Sequence, residues 1–516
     1  MQDTRDYNAA VQVLNSLQSN FSAVEAIRKQ GPGWNKRALP EMREWVRRIG
    51  YEADGKHKPS DFNQLNLVHI AGTKGKGSTS SFISSILSQY LPTKRSIHAE
   101  RLPTSVGLYT SPHLRFVRER IQINNSPISE ETFAKYFWQV WDRLESSSPR
   151  AVGGEEPRNV MGKPVYFHYL TLVALHCYMQ EKVGTAVIEC GVGGEYDTTN
   201  ILERPLTTGI TSLGIDHVAM LGDTIESIAW HKGGIFKPDV PAFTAPQPDS
   251  ALDVLRKRAR ECNTELRVVP EHPALRDTKL GLQGDFQRIN ASLAIAICAS
   301  HLSRLGLLKA ETALDFASEL PAEFVKGLEI ARLGGRCEER RDSRQNDLTW
   351  YIDGGHTLES IELAGKWFAS ATEARDRGTS RILIFNQQTR DAPALARRLH
   401  ATLATATGND RPFQHAIFCT NTTYESAGYK ADLVSMNTSQ EDVDSLKVQK
   451  ELAEAYKTID ASAEVHVLGT IEAAVACARQ LAGGEPAHVM VTGSLHLVGG
   501  LIEVLEGESE EESSNL

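Results

Sequence analysis

The chain has 516 residues, 41% hydrophobic and 23% charged, with 39 Gly, 21 Pro and a net charge of −9. That length exceeds what one hydrophobic core organises, so two or three domains are expected, and the composition excludes a collagen-like, low-complexity or wholly disordered chain. The acidic balance argues against a nucleic-acid-binding or anionic-membrane-binding field, and no apolar run reaches the ~20 residues of a membrane span.

The start, Met1-Gln2-Asp3-Thr4-Arg5-Asp6, has neither the apolar core of a secretory signal nor the Arg-rich character of a transit peptide. A cytoplasmic protein is therefore expected, a mitochondrial form requiring a longer precursor. Seven scattered cysteines without a Cys-x-x-Cys pair agree with free thiols in a reducing compartment. From Leu65 onward short β-branched runs alternate with longer helical patterns. Strands are predicted over Leu65–Ile70, Ala186–Glu189, Gly209–Leu213, Thr349–Ile352, Arg381–Phe385, His415–Cys419 and His488–Val491. Amphipathic helices are predicted over Ser78–Leu91, with Phe82, Ile86 and Tyr90 in a row, and over Ile289–Leu302, with Ile289, Leu293 and Ile297. Strand-then-helix repetition implies parallel sheets covered on both faces, the α/β class.

Pro321, Gly327, Gly334 and Gly335 interrupt this pattern, which places the domain boundary within Leu320–Gly335. The expected organisation is a large P-loop nucleotide-binding domain with a parallel-rich sheet over residues 1–325, then a smaller Rossmann-like domain of about five β-α units over 326–505. The Glu-rich end, 506–516, reads as a solvated, disordered tail. Leu91–Thr104, Ser146–Lys163 and Asn421–Lys450 read as loops or insertions.

The clearest chemical motif is Val68-His69-Ile70-Ala71-Gly72-Thr73-Lys74-Gly75-Lys76-Gly77-Ser78-Thr79, a strand, a Gly-rich turn and a helix start. Gly72, Gly75 and Gly77 let the backbone wrap a phosphate so that successive N–H groups and the helix N-terminus face the anion. Lys76 would reach the β/γ-phosphates, and Ser78 or Thr79 would cap the helix or approach magnesium. Gly77 separates Lys76 from Ser78, so the generic G-x-x-x-x-G-K-[ST] pattern is not met strictly. The plainer alternative is a Gly/Ser loop that merely turns the chain.

The variant Gly-Thr-Lys-Gly-Lys-Gly-Ser resembles the loop of the folylpolyglutamate synthase family, relatives of the Mur peptide ligases. Five further segments are similar to that family in the same order. They are Tyr109-Thr110-Ser111-Pro112-His113-Leu114 with Arg118-Glu119-Arg120-Ile121; Glu189-Cys190-Gly191-Val192-Gly193-Gly194-Glu195-Tyr196-Asp197-Thr198-Thr199-Asn200; and Leu213-Gly214-Ile215-Asp216-His217, continuing to His231-Lys232-Gly233-Gly234-Ile235. The last two are Ile352-Asp353-Gly354-Gly355-His356-Thr357 and Thr492-Gly493-Ser494-Leu495-His496. Gly233 and Gly355 stand where the family often has Ala, and neither change removes a functional group.

The resemblance implies an ATP- and Mg²⁺-dependent amide ligase of one-carbon metabolism that adds L-glutamate to reduced folates. An unactivated carboxylate requires a leaving group, which ATP would supply as an acyl phosphate, and catalysis of that transfer is mostly positioning and charge neutralisation. The resemblance assigns Ser111, Glu189 and His217 to magnesium, an ion that prefers few protein ligands and several waters. It implies a carbamylated lysine at Lys232, against the alternative of a surface or phosphate-contacting lysine. Carbamylation requires a neutral amine, which burial near Ile228 and Ile235 would favour.

Thr73 belongs to the nucleotide loop. Asn290 would lie near adenine or cap its helix, and Arg336 would contact ATP phosphate from the second domain. Asp353 would contact nucleotide or glutamate, and His356 the glutamate side. Ser494 is a weaker candidate that would cap the last helix. The folate pocket is expected between the Thr110–Leu114 and Gly191–Asn200 loops. A monomer that binds no nucleic acid is expected. Rival functions are a bifunctional enzyme that also uses dihydropteroate, a Mur-type ligase for another acid, and a slow ATP-hydrolysing switch.

Overall fold

The computed structural model describes residues 5–18, 36–53, 58–92, 103–309, 319–373, 379–388, 390–425 and 445–514, with side chains described as far as 507. Most of Leu91–Thr104 and of Asn421–Lys450 lies outside these residues. The Ser146–Lys163 segment is a loop carrying two isolated antiparallel bridges, Val152 with Glu155 and Val160 with Lys163. Two compact units form, divided mainly at Arg332–Leu333, with Leu114–Phe116 and Leu282–Asp285 contributed to the second. The helix Ala322–Ile330 straddles the expected division at 325/326. It packs on the helix Lys76–Ser88 and belongs to the first unit.

In the first unit an eight-stranded sheet runs, in spatial order, Ser126–Pro127, Ile121–Ile123, Val106–Tyr109, Thr185–Glu189, Leu67–Ala71, Thr207–Ile210, Ala242–Thr244, Leu266–Val268. The last six are parallel and the first two add an antiparallel edge. The central strands Leu67–Ala71 and Thr185–Glu189 are buried at every position, as strands covered on both faces must be. Leu65, expected in the first strand, instead ends a 3₁₀ turn over Asp61–Leu65.

The covering helices differ from the one-face pattern read from the sequence. Every residue from Asn290 to Leu302 is buried, as is every residue from Ser78 to Leu87. The reason is that Lys76–Ser88 is enclosed by Gln287–Arg304, by Ala322–Ile330 and by the sheet. Two of its serines bond inside the chain: Ser85 Oγ donates to Gly327 O at 2.6 Å, and Ser84 Oγ to Asn125 Oδ1 at 2.6 Å.

The second unit holds a six-stranded sheet, in order Glu464–Leu468, His415–Cys419, Ser380–Phe385, Ala487–Thr492, Leu348–Ile352, Glu338–Arg341, of which only the last is antiparallel. Period-two alternation assigns its two faces. Trp350, Ile352, Ile384 and Val491 pack with Ile471, Val475, Leu497 and Leu501 of the last two helices. On the other face Tyr351 meets Trp367 and Phe368, and Phe418 meets Tyr456.

The segment 506–514, expected to be disordered, continues the last helix, Leu495–Ser514. Glutamate is a good helix former, and Glu506 is held by Arg115 and by Arg340 Nη1 at 3.1 Å. All seven cysteines are free thiols. Among the described residues no helix is long and apolar enough to cross a membrane.

Candidate active site

The carboxyl ends of the central strands in the first unit converge on the Gly-rich turn, where α/β sheets place their ligands. Gly72 has φ +148° and Gly75 φ +85°. A Cβ on Gly72 would strike Thr211 Oγ1, and one on Gly75 would strike the Asn290 amide oxygen, so both close approaches require glycine.

Gly75 stands at the N-cap of the helix Lys76–Ser88, with no side-chain cap. The first helical bond runs from Thr79 N to Gly75 O at 2.8 Å. The N–H groups of Lys76, Gly77 and Ser78 therefore precede the ladder, the arrangement that receives an anion. The expectation that Ser78 or Thr79 caps this helix is corrected. Ser78 Oγ accepts from Gln287 Nε2 at 3.2 Å, and the Thr79 hydroxyl is fully buried.

Thr73 and Lys74 also depart from the expected run of anion-facing amides. Both N–H groups donate to Ser212 O, at 3.1 and 3.0 Å, and Thr73 Oγ1 donates to Gly214 O. The first half of the loop is thus tied to the segment after strand Thr207–Ile210. Asn290 is not a helix cap, because its helix begins at Gln287. It is buried behind Gly75, and its Nδ2 donates to Gln287 Oε1 at 2.9 Å.

Glu189 ends its strand and is buried, with one oxygen 3.9 Å from Lys76 Nζ and the other accepting from Ser111 N at 3.2 Å. Strand pairing of Tyr109 with Ile188 brings Ser111 and Glu189 to adjacent strand ends. A buried carboxylate, a neighbouring hydroxyl and a lysine form a hard-oxygen donor set with phosphate-neutralising charge, which fits magnesium. His217 stands exposed at φ +52°, at the head of the short helix Val218–Leu221, with its N–H donating to Asp216 Oδ1. Asp216 Oδ2 lies 3.8 Å from Lys74 Nζ.

Lys232 is the most perturbed cation of the site. It sits in the helix Ile225–Gly233, is 3% exposed, and its Nζ donates to Gly72 O at 2.7 Å. Burial, reinforced by the Lys76 charge, lowers its ammonium from the ordinary value to about 7. The surface alternative is excluded.

The Gly191–Asn200 loop is organised by Asp197, which the sequence reading did not single out. Its Oδ2 accepts from Val192 N at 2.9 Å, and its Oδ1 from Thr199 N at 2.9 Å and Thr199 Oγ1 at 2.6 Å. Burial raises this carboxyl above its usual range. The Asp-Thr-Thr sequence, an Asx-turn signature, was the available signal. Gln287 carried no sequence signal, since its role arises only where two helices meet.

In the second unit Asp353 follows strand Leu348–Ile352 and is buried. Its Oδ2 accepts from Cys337 N at 2.9 Å, and its Oδ1 from Gly355 N at 2.8 Å. Burial pushes its carboxyl up, and the Arg336 guanidinium opposes that shift. His356 Nδ1 donates to Gly354 O at 2.9 Å, which leaves Nε2 as the acceptor of the neutral ring. Thr357 and Ser360 form a reciprocal cap on Leu358–Thr372. Ser494 Oγ accepts from His496 N at 3.2 Å, the capping role.

No family model matches the chain. Curated folylpolyglutamate synthases of Saccharomyces cerevisiae strains FostersO and ATCC 204508 / S288c are each 48% identical over 505 residues, covering 97% of this chain and 87% of theirs. Among solved structures, the Thermotoga maritima folylpolyglutamate synthase is 24% identical with a TM-score of 0.61, covering 91% of this chain and 94% of its own. The Mycobacterium tuberculosis folylpolyglutamate synthase complexed with ADP has a TM-score of 0.66 at 20% identity, covering 97% and 99%. These two carry the fold, two α/β units. Close to half the residues shared with the yeast enzymes along nearly the whole length carries more: the chain belongs to the folylpolyglutamate synthase family.

Proposed function

We propose that this chain joins L-glutamate to the γ-carboxyl of a (tetrahydro)folyl-glutamate by way of an acyl phosphate, with ATP cleaved to ADP and phosphate. In the first step a γ-carboxylate oxygen attacks the γ-phosphorus of ATP and ADP leaves. In the second the glutamate amine attacks the acyl carbon, the C–N bond forms, and inorganic phosphate departs while the amine loses a proton. The family of the yeast relatives and the nucleotide complexes of the structural neighbours support ATP and folate as substrates.

The observation that carries the reading is Lys76 poised 3.9 Å from buried Glu189, beside the open N–H groups of Lys76, Gly77 and Ser78. Those donors would cradle the β/γ-phosphates, and Lys76 would offset charge on the transferring phosphoryl group. Ser111 and Glu189, with His217 from the neighbouring loop, would hold magnesium, which when bound neutralises phosphate charge.

Lys232 is proposed to carry a carbamate. At neutral pH a substantial share of its amine is unprotonated, the form that adds CO₂. The modified nitrogen retains one hydrogen with which to keep its bond to Gly72 O. Arg336 and Asp353 are proposed to serve the nucleotide, and His356 the incoming glutamate.

Mass analysis of the chain incubated with tetrahydrofolate, L-glutamate and Mg-ATP tests the reading. Products heavier by successive glutamyl residues, with one ADP per bond, are expected. Absence of glutamylated product with every reduced folate would overturn it. Product from dihydropteroate and glutamate would reassign the chain to the bifunctional reading.

A further inference from the structure

The parallel strands His415–Cys419 and Glu464–Leu468 pair with His415 opposite Glu464 and Ile417 opposite His466. Residues two apart on a strand share a face, so Glu464 and His466 project together, with His415 beside them. His415 Nδ1 lies 3.5 Å from Glu464 Oε2, and His466 Nε2 lies 3.9 Å from Glu464 Oε1. The three ligand atoms all lie within 4.8 Å of one another.

Those separations are too long for hydrogen bonds. Both facing ring nitrogens are nonetheless buried without a hydrogen-bond partner. Leaving such atoms unsatisfied is costly, so their common orientation calls for a partner. A cation supplies one with the right spacing, because ligands about 2.1 Å from a tetrahedral centre stand about 3.4 Å apart.

We propose that His415, Glu464 and His466 bind one divalent transition-metal ion of the zinc class, with water in the fourth position. A set with two imidazoles and only one carboxylate suits zinc, whereas magnesium and calcium favour sets made mainly of oxygen donors. The glutamate side chain is 67% exposed, which gives the ion a route in from solvent.

The site is separate from the ligase chemistry. His415 and Glu464 begin their strands, whereas Asp353 and His356 follow the carboxyl end of the parallel strand Leu348–Ile352. The ion would clip the outermost strand of this sheet, which pairs on one side only, to its neighbour.

Calorimetric titration of the chelator-stripped full chain with Zn²⁺, in the presence of Mg-ADP to occupy the nucleotide site, tests the proposal. One equivalent is expected to bind and to raise the melting midpoint. Co²⁺ in place of Zn²⁺ should give visible absorption of low-coordinate type. Glu464→Gln and His466→Gln are each expected to weaken this equivalent by about 100-fold or more and to abolish the Co²⁺ band. Glu464→Gln decides the matter if His466→Gln fails to fold, since the glutamate side chain lies mostly in water. Absence of a stoichiometric Zn²⁺ equivalent in the unsubstituted chain, or its retention in Glu464→Gln, would overturn the proposal.

Discussion

Lys232 gives the sharpest physical test, because its burial must appear as a pH dependence of stability. Its ammonium falls from 10.5 to about 7 on folding. Between those values the unfolded chain binds a proton that the native chain does not, so native stability rises with pH across the window. The contribution is fully present above the unfolded value and is lost as pH falls to about 7. The full span corresponds to about 5 kcal/mol, and the portion from about pH 7 to about pH 9 to roughly 2 kcal/mol.

Lys232→Met removes the titrating group while filling similar space. It also leaves Gly72 O without its donor, a pH-independent cost of about 1–3 kcal/mol. Urea unfolding of both proteins in CO₂-free buffer, scored on the transition that the substitution shifts, isolates the effect because other groups cancel in the difference. The wild-type-minus-variant stability should grow by roughly 2 kcal/mol from about pH 7 to about pH 9. A difference constant to within about 0.5 kcal/mol would refute the reasoning. With ¹³C-labelled bicarbonate added, a carbamate carbon resonance is expected in the wild type and not in Lys232→Met.

Lys76→Ala should lower kcat/KM by about 100-fold or more, the usual cost of losing a charged contact to the transition state. Its melting midpoint should stay close to the wild-type value, since the side chain serves charge rather than packing; near wild-type turnover in the folded variant would remove Lys76 from the phosphate site. Asp353→Asn turns one acceptor oxygen into a donor, facing either Cys337 N–H or Gly355 N–H. Denaturant unfolding of the second unit should show a loss of about 1–3 kcal/mol, whereas unchanged stability would mean that these two bonds contribute little.

The phosphate turn was legible because its requirement is local: glycines, a lysine and a helix start must follow one another for the backbone to wrap an anion. The parallel sheets were legible for a similar reason, since a strand buried on both faces reads as an unbroken apolar run. The helices Lys76–Ser88 and Gln287–Arg304 are legible as helices, but their large apolar residues alone suggest one buried face. Their serines and alanines look polar or neutral in sequence and become core only because small side chains admit neighbours on every side. Order in the acidic end is not legible locally, because Arg115, one of the groups holding Glu506, is 391 residues away in the chain.

By itself, then, the sequence determined the α/β class, the order of the elements and the chemical types gathered at the strand ends, all of which depend on neighbours in the chain. Tertiary structure decided which loop amides remain for a phosphate, through Ser212, and what stands behind Gly75, through Asn290 and Gln287. It decided that Lys232 is buried against Gly72, and that His415 stands beside Glu464 and His466. Each of these joins segments remote in sequence. Strand register and helix packing set such distances, and no local pattern of residues encodes them.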